Sequence, residues 1–95
     1  LRWNSGIMYG FNEKNKFYEI YRLMIDYHYQ QKGFGKEAIK IVLAELFKDD
    51  NCKEVYISID PNNSIALKIY QSLGFKKNES NVYPGEIIMV KRLND

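Results

Sequence analysis

Residues 33–59 restrict the fold more than any other stretch. Gly33-Phe34-Gly35 opens it, a run from Lys36 to Lys48 follows, and Val55 to Ile59 closes it. Within the run, Ile39, Val42, Leu43, Leu46 and Phe47 recur at i, i+3, i+4, i+7 and i+8, while Lys36, Glu37, Lys40, Glu45 and Lys48 take the other side. That spacing predicts a helix with one buried stripe. In the closing stretch, Val55, Ile57 and Ile59 alternate with Tyr56 and Ser58, the period of a strand. A helix that must bury a stripe and a strand that must bury a face satisfy each other only in layers, which makes this an α/β chain.

The flanking segments extend that pattern. Ile7 to Phe11 and Lys16 to Asp26, separated by the polar cluster Asn12 to Asn15, read as two strands of a hairpin. Tyr27 to Lys32 is polar and aromatic without a period. After the strand Val55 to Ile59, Pro61 disfavours helix at Asp60. Asn62 or Asn63 is then suited to cap a second helix, Ser64 to Leu73, which carries Ile65, Ala66, Ile69, Tyr70 and Leu73 at helical spacing. Gly74 is its natural stop, since glycine tolerates the left-handed conformation. Phe75 begins an extended piece, Tyr83-Pro84-Gly85 turns, and Glu86 to Leu93 reads as a last strand. The predicted order is strand, strand, helix, strand, helix, strand, strand, a mixed sheet in a single domain over 1–95.

Composition removes several functions. Charge is nearly balanced, with 14 basic and 12 acidic residues and a net +2, and Lys76-Lys77 and Lys91-Arg92 are pairs rather than patches. Nucleic-acid binding by bulk electrostatics is therefore not expected. One cysteine, Cys52, and one histidine, His28, exclude an internal disulfide and argue against a structural zinc or other metal site, which fits a reducing cytoplasm. No apolar run reaches the ~20 residues that span a membrane. The chain opens on Leu1 and runs at once into strand-like sequence, so the expectation is that it begins inside a larger domain.

The glycine pair invites an anion. The first turn of a helix leaves backbone N–H groups unpaired and carries partial positive charge, and glycine removes the Cβ that would hold a phosphate away. A purely structural turn is the competing explanation. A Walker A loop does not fit, because Gly35-Lys36 is followed by Glu37. Gly33-Phe34-Gly35-Lys36-Glu37-Ala38 does match a dinucleotide fingerprint, with Asp60 as a ribose acid, but a polar stretch precedes Gly33 where a tight strand-to-helix turn belongs.

Two motifs taken together favour a third reading. Residues 23–36, LMIDYHYQQKGFGK, resemble the acetyl-CoA-binding signature of the GNAT N-acetyltransferases, with Gln30, Gly33 and Gly35 at its fixed positions. Residues 63–75, NSIALKIYQSLGF, are similar to the family's second hallmark through Asn63, Ala66, Ile69, Tyr70, Leu73, Gly74 and Phe75. The resemblance implies a mostly antiparallel mixed sheet flanked by helices, with the family's N-terminal strand and two helices absent from this chain. It also implies a cofactor site. The backbone of Leu23, Met24 and Ile25 would pair with pantetheine, with an N–H near Met24 stabilising the oxyanion. Gln30, Gln31, Lys32, Gly33, Phe34, Gly35 and Lys36 would wrap the pyrophosphate. Asn63 would hold pantetheine or position the second helix.

In the same terms Tyr70 is the implied general acid for the departing thiolate. Read from its helical spacing alone, it is a core residue. The base is open. Alternation puts Glu19 and Tyr21 on one face with Leu23 and Ile25, and Glu19 acting through water is the candidate. His28, beside the cofactor loop, suits a surface role. Within the family the chain most resembles bacterial diamine and spermine/spermidine acetyltransferases. That implies a small polyamine acceptor, for which Glu19, Asp26 and Glu86 are candidate carboxylates; with the family's N-terminal elements absent, the chain is expected to be a fragment or to be completed as a homodimer or domain-swapped oligomer. The alternative is an acetyl-CoA-binding fragment or interaction module without catalysis of its own.

Overall fold

A computed structural model describes residues 2–4, 7–21, 34–79 and 83–94, with backbone alone at 2–4, 34 and 35. Its strands are β1 (Arg2–Asn4), β2 (Ile7–Asn12), β3 (Phe17–Ile20), β4 (Glu54–Ile59), β5 (Lys76–Asn78) and β6 (Ile87–Arg92). Its helices are α1 (Phe34–Phe47) and α2 (Ser64–Ser72). The strands form one sheet in the order β1-β2-β3-β4-β6-β5. Only β3 and β4 run parallel; the other neighbours are antiparallel.

Both crossovers, β3-α1-β4 and β4-α2-β5, join parallel strands and step in the same direction across the sheet. Right-handed connections then put both helices on one face. The core agrees. Ala38, Ile39, Val42, Leu43 and Leu46 of α1 and Ala66 and Tyr70 of α2 share one buried cluster with Ile7, Tyr9, Ile20, Val55, Ile57, Ile59 and Met89. The register runs a row straight through it, Tyr9 to Ile20 to Ile57 to Met89. Leu46 is fully buried there, and truncating it to alanine would cost about 2–5 kcal/mol.

The adjacent row, Gly10 to Glu19 to Tyr56 to Val90, alternates to the opposite face. Phe17 and Tyr56 stack on it with ring centroids 4.4 Å apart. This helix-free face of the described structure carries the polar cluster considered below. No described helix is long and apolar enough to cross a membrane.

Three expectations are corrected. A first strand, Arg2–Asn4, precedes Ile7 and pairs with it antiparallel, Asn4 opposite Ile7. The strand expected over Lys16 to Asp26 begins at Phe17, because Lys16 takes φ 61° to close the hairpin turn. Tyr21 no longer belongs to it, although its N–H still bonds the Met8 carbonyl at 3.0 Å. Helix α1 starts at Phe34, two residues before Lys36.

Candidate active site

The parallel pair decides where a site can form. Because β3 and β4 share a direction and each leads to a helix, α1 and α2 both begin at the end of the sheet where these strands finish. Ile57 pairs with Ile20, whereas Ser58 and Ile59 pair with β6 on one side and with no described β3 residue on the other. Two helix N-termini at this end carry unpaired N–H groups and partial positive charge, an arrangement that suits an anion. Lys36, half-buried, lies in the first turn of α1.

At the second helix start, Asp60 builds a turn by accepting from the Asn62 N–H at 2.9 Å. Asn63 is the N-cap: its Oδ1 accepts from the Ala66 N–H at 3.0 Å. At the other end of α2, Gly74 adopts φ 102° and its N–H bonds the Gln71 carbonyl at 3.1 Å, while the Phe75 N–H reaches the Tyr70 carbonyl at 3.0 Å. These are the paired bonds of a Schellman ending, and the accompanying apolar contact is between Tyr70 and Phe75, rings 6.0 Å apart. Tyr70 is 1% exposed.

Glu19 lies on the other face. It is 2% exposed, a charged type that is seldom so buried without partners. Its partners come from two places. Asn12 Nδ2 donates to Oε1 at 2.6 Å, and the Tyr83 hydroxyl, 64 residues away, lies 3.0 Å from Oε1 and 2.9 Å from Oε2. Asn12 and Asn15 amides in turn donate to the Tyr83 oxygen at 3.3 and 3.4 Å. Burial, and then the hydrogen bond to Glu19, push the Tyr83 phenol up to about 12, so it keeps its proton and acts as a donor. Burial and then the Glu19 charge also raise Tyr21. Opposite Glu19 in β2 stands Gly10, which adds no side chain to this row.

Glu19 and Tyr70 are thus set on opposite faces of the sheet. Leu23, Met24, Ile25, Gln30, Gln31, Lys32 and Gly33 lie outside the described residues, as do Asp26 and His28. Phe34 and Gly35 are described only as the backbone that opens α1. Sequence reasoning did not find Asn12, Asn15 or Tyr83, all of which looked like turn residues. A hollow of about 160 Å³ lined by Phe11, Lys16, Phe17, Tyr18, Asn51, Glu54 and Tyr56 lies toward the opposite end of β3 and β4 from the helix starts.

The parallel junction and the capped second helix belong to a mixed α/β fold, and comparison with known families identifies it. The chain belongs to the acetyltransferase (GNAT) family, which matches residues 5–75. It is 43% identical, over 90% of its length, to the probable spermine N(1)-acetyltransferase of Bacillus subtilis subsp. natto. It is 42% identical, over the same share, to the spermine/spermidine N(1)-acetyltransferase of Bacillus subtilis strain 168. It spans 60% of the length of each of these relatives. A more distant relative, N-alpha-acetyltransferase 30 of Xenopus laevis, is 33% identical over 63% of the chain and 22% of its own length.

Proposed function

We propose that the protein carrying this chain transfers the acetyl group of acetyl-CoA to a primary amine of a polyamine such as spermidine or spermine, by direct attack on the thioester. The observation that most supports this reading is the GNAT family match over residues 5–75, which spans both Glu19 and Tyr70, the two buried on opposite faces of the sheet. Acetyl-CoA, when bound, supplies an activated acetyl carbonyl with a thiolate leaving group. Glu19 accepts a proton from the incoming ammonium on the helix-free face, directly or through water, so that a neutral amine attacks. Backbone N–H groups near Met24 stabilise the oxyanion. Tyr70 donates its phenolic proton to the departing sulfur from the helix side. Leu23, Met24 and Ile25 hold pantetheine, residues 30–36 hold the pyrophosphate, and Asn63 contributes its amide. The names of the two Bacillus relatives support the polyamine acceptor. The buried thiol of Cys52 suits a reducing cytoplasm, and a homodimer or domain-swapped oligomer completes the reading.

The test is mass spectrometry of spermine and spermidine after incubation with acetyl-CoA. Acetylated product is expected. Tight binding of acetyl-CoA without product from any of a panel of amines would leave a binding module, the second reading.

A further inference from the structure

The hydroxyl of Tyr83 has one proton to give and two lone pairs to fill. Amides of Asn12 and Asn15 approach its oxygen as donors, at 3.3 and 3.4 Å, which leaves the single O–H for Glu19. Asn12 is itself fixed within the hairpin turn, its Oδ1 accepting from the Asn15 N–H at 3.0 Å and its carbonyl from the Lys16 N–H at 2.7 Å. The loop before β6 and the β2–β3 turn therefore meet over one carboxylate. Oxygen Oε1 receives both Asn12 and Tyr83, whereas among the described residues Oε2 receives Tyr83 alone.

We propose that Tyr83 is a positioning residue for acetyl transfer: its hydroxyl, oriented by Asn12 and Asn15, bridges both oxygens of the Glu19 carboxylate and fixes the orientation in which that carboxylate takes the proton of the amine. This inference rests on Glu19 being the base. With its one O–H engaged by Glu19, Tyr83 acts on the carboxylate rather than on the substrate. A carboxylate held in one orientation loses rotational freedom before the substrate arrives, which lowers the ordering cost of the transition state.

The test is a double-mutant cycle in the intact protein with acetyl-CoA and spermine, using Tyr83→Phe, Glu19→Gln and the pair. Turnover, KM for spermine and the dissociation constant of acetyl-CoA are read for each. Tyr83→Phe should lower kcat about tenfold and leave acetyl-CoA affinity within about twofold. In the Glu19→Gln background the same change should alter kcat by less than about twofold, because residues acting as one unit are not additive. Should Tyr83→Phe fail to fold, Asn15→Ala, which loosens the hydroxyl without removing it, should lower kcat about threefold at unchanged acetyl-CoA affinity. If Glu19→Gln is impaired while Tyr83→Phe, or Asn15→Ala in its place, turns over normally, the inference fails and the base assignment stands. Equal losses in both backgrounds also overturn it. An active Glu19→Gln, or an unsubstituted protein without turnover, ends the base assignment and this inference together.

Discussion

Phe75 donates its backbone N–H to the carbonyl of Tyr70 at 3.0 Å while the two rings lie 6.0 Å apart, so the end of α2 is closed by backbone and side chain at once. The closure depends on Gly74 at φ 102°. An L-residue there is strained by about 1–2 kcal/mol. Gly74→Ala should therefore lower the melting temperature by roughly 4–8 °C for each kcal/mol lost, measurable by calorimetry. An unchanged melting temperature would show that α2 ends by other means.

Asn63 combines a structural and a proposed functional duty, and two substitutions separate them. Asn63→Ala removes the cap and should cost about 1 kcal/mol. Asn63→Asp retains an acceptor for the Ala66 N–H and adds charge of the favourable sign at a helix start, so it should melt like the parent. If the amide also contacts the cofactor, the Asp variant should bind acetyl-CoA about tenfold more weakly despite its stability. Parent-like affinity in that variant would make Asn63 a cap alone.

Tyr70→Phe tests the proton donor. The change keeps the ring against Phe75 and deletes only the hydroxyl. Loss of a general acid should lower kcat by about 10²-fold with acetyl-CoA affinity nearly intact. Parallel loss of binding and turnover would make the tyrosine structural.

Tyr83 should also be visible in the dependence of stability on pH. Its phenol is raised from the ordinary 10.0 to about 12 in the folded protein. Below the unfolded value both states keep the proton and nothing changes. Between the two values the unfolded chain releases it and the folded one does not, so stability falls as pH rises through this window. Urea midpoints from pH ~9 to ~11 should fall more steeply in the parent than in Tyr83→Phe, the other titrating groups being common to both. Parallel curves would mean that neither burial nor Glu19 raises the phenol in the folded protein.

Particular residues show what the sequence disclosed. The stripe Ile39, Val42, Leu43, Leu46 and the alternation Val55, Ile57, Ile59 are local periods, and both survive in the core. The pattern of α2, from the Asn63 cap to the Gly74 stop, is local too, and its ending appears as expected. Strand β1 was overlooked although Ser5-Gly6 is a turn signal between two short runs. The meeting of Tyr83 with Glu19 has no local signature. It depends on the register of β6 against β4 and of β4 against β3, each a pairing between distant segments. The same non-locality hides which face Glu19 shares with whom until Ile20 is seen to enter the core.

The account depends most on acetyl-CoA being the ligand of the glycine turn and the parallel junction. Isothermal calorimetry of the intact protein with acetyl-CoA and, separately, with NAD measures this directly. The account predicts saturable heat with acetyl-CoA and none with NAD; heat with NAD and none with acetyl-CoA would contradict it.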